Sequence, residues 1–175
     1  ATQIQIMEAL GFAPPSFAHH SLLTGPQGEA LSKRLGTLAL ADLREAGVEP
    51  MALLSHMARL GSSQPIELCS DLDELAEGFD LDHFGADPTK FDVNDLYPIT
   101  ARYLHTLPLE EVADQIAEIG VPEDLAETFW TVARANITTR NDIAGWWHLF
   151  RDGATPVVDE EDREFVAEAF ALLPD

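Results

Sequence analysis

Apolar positions along this chain of 175 residues recur mostly every three or four residues, and glycine or proline punctuates the runs. Ile4, Met7 and Leu10 would share one face of a first helix that stops at Gly11. A short helix from Leu38 to Ala46 would close at Gly47. The next, Pro50 to Leu60, starts on a proline, whose missing N–H leaves no helical bond unmade, and carries Met51, Leu54 and Met57 on one face before Gly61. Ser70 is the expected cap of a helix through Leu72 and Leu75 to about Glu77. Pro108 opens a helix bearing Val112, Ile116 and Ile119 up to Gly120, and Pro122 opens another with Leu125, Phe129, Val132 and Ala133 facing inward. Thr139 and Asp142 have capping-box spacing ahead of Ile143, Trp146, Trp147 and Phe150, with Gly153 as the stop. The acidic run Asp159 to Asp162 suits the first turn of a last helix through Phe165, Ala169 and Leu172.

Residues 17–32 depart from this period. Phe17 to Leu23 reads as a strand, and Thr24 to Gly28 is dense in turn residues. A strand, a turn and a short return would deliver Ser32, Lys33 and Arg34. The Asp87–Pro88 pair in a polar loop marks the expected boundary between two modules. The pattern therefore predicts a mainly α protein with one short strand and loop element.

Composition narrows this picture. With 46% hydrophobic residues the chain has enough apolar surface for a core, and its apolar runs, such as Met51 to Leu54, are too short to span a bilayer. One cysteine, Cys69, precludes a disulfide within the chain and fits a reducing compartment, so a cytoplasmic location is expected. The formal charge of −21 argues against general binding to nucleic acid or anionic membranes. The charge is uneven, however. Residues 71–82 hold Asp71, Asp73, Glu74, Glu77, Asp80 and Asp82 with no base, whereas residues 134–151 hold Arg134, Arg140 and Arg151 against Asp142 alone.

Among candidate chemistries, the Ser32–Lys33–Arg34 loop suits phosphate handling, because an ammonium can meet charge developing on a transferring phosphate. A solvated surface turn is the competing reading of so short a motif. His19 and His20 would point to opposite faces of a strand and lack further ligands at metal spacing. The run from Asp80 to Gly85 resembles a calcium loop, yet Phe84 and Phe91 stand where oxygen ligands belong. No metal site is expected. Trp146 and Trp147 could stack on bases, but the helical pattern favours core packing for at least one of them.

Residues 14–68 read as a unit carry a resemblance. The run Pro15-Ser-Phe-Ala-His-His-Ser-Leu-Leu-Thr-Gly-Pro-Gln-Gly-Glu-Ala-Leu-Ser-Lys-Arg-Leu-Gly36 closely resembles the region of the second class I motif in bacterial glutamyl-tRNA synthetases. Leu43-Arg-Glu-Ala-Gly-Val-Glu-Pro-Met-Ala-Leu-Leu54 is similar to that family's Phe-Arg-Glu-x-Gly-hydrophobic-x-Pro-x-Ala-Leu. Phe79 to Asp82, Lys90 to Asp92 and Tyr103-Leu104 resemble the segment leading into its anticodon-binding helices. The likeness is close over the first two-thirds and looser beyond.

The resemblance implies a helical stem-contact region with the Ser-Lys-Arg loop over residues 1–86, followed by an α-helical anticodon-binding bundle over 87–175. It implies ATP as a substrate, with Mg in the full-length enzyme, and tRNA for glutamate, with glutamine tRNA a further option. Lys33 would be catalytic, stabilising the triphosphate as pyrophosphate leaves, with Ser32 and Arg34 completing the ATP contacts. Arg134, Arg140 and Arg151 would be the tRNA contacts, set against ordinary surface charge. A monomer is expected.

Departures from the family pattern include Ala30 in place of a lysine and Tyr97-Pro98-Ile99-Thr100 in place of a Trp-Leu-Asn-like string, which suggests a divergent second copy. No His-Ile-Gly-His-like motif is present. The expectation is an internal-to-C-terminal fragment, inactive alone, that lacks the N-terminal catalytic half and whose anticodon region stops short. The rival readings are a helical adaptor whose loop is vestigial, and a synthetase paralogue acting on another substrate.

Overall fold

Prolines or carboxylates stand at the start of several helices of this protein, and glycines follow several of their ends. The computed structural model describes residues 2–31, 39–154 and 159–171. In chain order its helices are α1 (Thr2–Ala9), α2 (Leu40–Glu45), α3 (Pro50–Arg59), α4 (Leu72–Glu77), α5 (Leu96–Thr106), α6 (Ala113–Glu118), α7 (Glu123–Ala133), α8 (Asp142–Asp152) and α9 (Arg163–Ala171). Two strands of two residues each, β1 (Leu23–Thr24) and β2 (Thr89–Lys90), pair in parallel. None of the described helices is long and apolar enough to cross a membrane.

Two cores organise these elements. The smaller gathers Leu43 of α2, Val48, Phe91 and Leu96 of α5, with Leu31, Leu53 and Tyr97 packed around them. The larger gathers Leu104 and Leu107 with Val112, Ile116, Phe129, Trp130, Ile143 and Trp147, so α5 to α8 close on one another. α5 belongs to both: its first turn plugs the small core and its last turn enters the large one. Phe129 and Trp147 meet edge to face with ring centroids 5.4 Å apart, a favoured aromatic geometry. Trp130 Nε1 donates to the Leu107 carbonyl at 2.9 Å, which gives the acceptor just past α5 a partner and leaves the buried indole satisfied.

Several expectations are corrected. The strand over 17–23 shrinks to Leu23–Thr24, because residues 10–20 are exposed and lie along no neighbouring strand. Its return is a single antiparallel bridge from Thr24 to Ala30. On α3 the buried face is Ala52, Ser55 and His56, while Leu54 and Met57 are exposed, so a small polar face rather than the bulky one meets the interior. α3 packs against α5. Asp71, not Ser70, caps α4, accepting from Glu74 N at 2.9 Å, while Ser70 N donates to Glu74 Oε2. On α7 Trp130 takes the interior position given to Val132, and Leu125 and Val132 are exposed.

The capping box before α8 forms in half. Asp142 accepts from the backbone N–H of Thr138 and Thr139, both at 2.8 Å, but Asn141 is the cap residue. Pro98 falls in the first turn of α5, where its lack of an N–H breaks no bond. α9 buries no residue, and Phe165 and Phe170 stand largely exposed. Leu38 and Leu172 lie outside the described residues.

Candidate functional site

Ser32, Lys33 and Arg34 lie outside the described residues, and the structure defines what stands on either side of them. Before them, β1 runs into a turn in which Gly28 N donates to Gly25 O at 2.9 Å and Gly25 N to Glu29 O at 2.8 Å. The Thr24–Ala30 bridge then sends the chain to Leu31, which packs on the small core. After them, α2 starts at Leu40 and anchors the same core through Leu43. Both flanks of the motif are thus tied to one apolar cluster.

That cluster is braced by a polar seam. Thr89 Oγ1 donates to Ser21 Oγ at 2.9 Å, and Thr24 Oγ1 to the Thr89 carbonyl at 3.3 Å. Gly61, at φ 82°, presses on this seam: a Cβ there would fall 2.6 Å from Thr89 Oγ1 and 2.7 Å from Ser21 Oγ. His56 is buried edge to face against Phe91 of the small core, with no hydrogen-bond partner on either ring nitrogen. Burial lowers its pKa, outweighing the pull of Asp95 in the opposite direction. His19 and His20 are exposed. Among the described residues no group of three or more His, Cys, Asp or Glu is placed to hold a metal ion.

The three candidate arginines are not gathered into one patch. Arg151 is exposed on α8 and forks onto Asp152 at 2.8 and 2.6 Å, contacts that hold the Asp152 carboxyl below its ordinary range. Arg134 lies half-buried after α7, its Nη1 3.5 Å from the Leu107 carbonyl. Arg140 faces inward, and its Nε donates to the buried Glu49 carboxylate at 2.5 Å. Glu49 is the residue that sequence reasoning passed over. It stands 91 positions from its partner, beyond the reach of any local pattern. The pair lines a cleft of about 930 Å³ together with Leu40, Leu53, Leu54, Asp114, Gln115 and Glu118.

A mostly helical frame that holds both ends of a Ser-Lys-Arg segment on one core, followed by a helical bundle, fits the class of aminoacyl-tRNA synthetases. Residues 1–98 match the family described as tRNA synthetases class I (E and Q), catalytic domain, and the chain belongs to that family. It is 74% identical over all 175 residues to glutamate–tRNA ligase 2 of Jannaschia sp. and 73% identical to glutamate–tRNA ligase 1 of Ruegeria pomeroyi. It spans 39% and 40% of the lengths of these two relatives. Its fold superposes on 98% of this chain and 41% of a crystal structure of a glutamate tRNA ligase from Elizabethkingia meningosepticum, with a TM-score of 0.75 at 22% identity. The corresponding enzyme of Elizabethkingia anophelis gives 0.71 at 23% identity, covering 99% and 41% of the two chains. At that identity the likeness defines the fold.

Proposed function

We propose that the protein carrying this chain is a glutamate–tRNA ligase, which activates glutamate with ATP and transfers it to the 3′ end of tRNA. The observation that carries this reading is identity of 63–74% to proteins of that name across essentially the whole chain. The helical residues that bear no short motif are part of that identity as well.

In this reading residues 1–86 form the stem-contact region and residues 87–175 the anticodon-binding region. Phe91 and Leu96 of the second piece complete the core of the first. Lys33 meets the triphosphate as pyrophosphate leaves, and Ser32 and Arg34 shape the surrounding ATP contacts. Mg accompanies ATP in the complete enzyme. Arg134 and Arg151 offer exposed or half-exposed guanidinium groups for tRNA phosphates, which would position the duplex without reading its sequence. A short basic segment can act in this way on a chain of charge −21, because screening confines each charge to about 10 Å at ordinary ionic strength. The enzyme would work as a monomer in the cytoplasm.

The test is glutamylation by a full-length protein carrying these 175 residues, with glutamate tRNA and glutamine tRNA supplied separately. Charging of glutamate tRNA is expected, and charging of glutamine tRNA as well would mark a second specificity. No glutamylation of either would overturn the reading in favour of an adaptor or a paralogue with another substrate.

A further inference from the structure

Where the small core meets the helical region, the chain is keyed together by polar contacts of long sequence separation. Glu49, just ahead of α3, is buried, and its N–H donates to Thr100 Oγ1 of α5 at 3.3 Å. Its carboxylate takes Arg140 Nε at 2.5 Å and Nη2 at 3.5 Å. Gly47 sits at φ 75°, and a Cβ there would lie 3.0 Å from Thr139 Cβ and 3.2 Å from the Asn141 amide, so the two segments approach as closely as glycine allows. Asn141 Nδ2 donates to the Glu45 carbonyl at the end of α2 at 2.8 Å. From the helical side, Gln115 Nε2 of α6 donates to the Arg140 carbonyl at 3.1 Å, and Arg140 Nη1 to the Glu111 carbonyl at 3.4 Å.

This arrangement decides what Arg140 can do. A buried carboxylate left without its cation is strongly unfavourable, so the pair is held together by the cost of breaking it. Arg140 already directs three of its five donors at Glu49 and Glu111, and its Nε–Nη2 edge, the one that would fork onto a phosphate side-on, is taken by the Glu49 carboxylate. We infer that Arg140 is a positioning residue. With Glu49 it fixes the corner between α2 and α3 against the start of α8, and so sets the angle at which the family-matched part meets the helical part when one tRNA lies across both.

This inference rests on the ligase reading, and the experiment separates the two. In a full-length protein carrying these residues, Glu49→Gln, Arg140→Gln, Arg140→Lys and the double Gln variant are compared for glutamylation and for salt dependence of tRNA binding. Each single Gln variant should lower kcat on the order of tenfold, since misplacement of this kind acts on alignment of the reacting groups. KM for tRNA should stay within about twofold, because the ground-state contacts remain. Arg140→Lys should recover part of the loss, and the double variant should be no worse than either single. A severalfold rise in KM with a shallower salt slope for Arg140→Gln, beside wild-type behaviour of Glu49→Gln, would instead make Arg140 a phosphate contact. Failure of the wild type to charge tRNA would remove the ligase reading alone. Thermal unfolding of the same four variants still reads the joint: losses from the two single Gln variants that add fully in the double would overturn it.

Discussion

Between Leu104 and Trp147 eleven buried apolar side chains close into one core, whereas the core around Leu43 and Phe91 has four, all counted among the described residues. The family-matched part makes up the difference with buried polar groups. Ser21, Thr24, Ser55, His56 and Glu49 are all buried, and all but His56 are hydrogen-bonded, Glu49 to Thr100 and Arg140 of the helical part. Exposed apolar side chains do not separate the two parts: Leu10, Phe12 and Leu22 stand out from one, Val132, Phe165 and Phe170 from the other. One part is ordered by volume, the other by hydrogen-bond geometry and close backbone approach. Substitutions should therefore hurt the two parts for different reasons: lost volume in the helical region, an added methyl or an added proton in the other.

The largest effect is expected in the helical core. Trp130→Ala removes the most deeply packed indole and its bond to Leu107, and should cost about 3–5 kcal/mol of stability in denaturant unfolding. A loss below about 1 kcal/mol would show that this core repacks freely, and the contrast would collapse.

Adding a single methyl should be the sharpest probe of the other part. Gly61→Ala places a Cβ at a left-handed φ and within 2.7 Å of two hydroxyl oxygens. The conformational strain alone is about 1–2 kcal/mol, with the displaced Ser21–Thr89 pair in addition. Thermal unfolding of the alanine variant at wild-type temperature would contradict it.

The smallest and most specific effect concerns His56. Its folded pKa lies below the ordinary 6.5, so the unfolded chain takes up a proton more readily than the folded one. Its contribution to stability is therefore complete above pH 6.5 and declines as pH falls from there toward the folded value. The melting temperature should drop over that window, and His56→Leu should flatten this part of the drop. An unchanged pH slope in the variant would show that His56 does not set it.

Much of this architecture was legible from spacing and punctuation. Gly11, Gly47, Gly61, Gly120 and Gly153 close helices as expected, each at positive φ. Helix starts at Pro50 and just after Pro122 and Thr139 were equally plain. What periodicity could not reveal was which face of α3 is inside: Ala52, Ser55 and His56 are buried, while the more apolar Leu54 and Met57 are exposed. The candidate site divides in the same way. The Ser32–Arg34 motif is a local string and could be read directly, whereas the Glu49–Arg140 pair is a product of the folded chain. Nothing in the residues flanking Arg140 distinguishes an internal ion pair from an exposed phosphate contact, which is why it stood beside Arg134 and Arg151.

The most direct test of the account replaces Lys33 by alanine in a full-length protein carrying this chain and follows glutamylation of glutamate tRNA. On the role proposed for Lys33 at the triphosphate, its loss should slow the reaction by about 10²–10³-fold. Wild-type turnover by the Lys33→Ala variant would contradict the central claim that this segment serves the ATP chemistry.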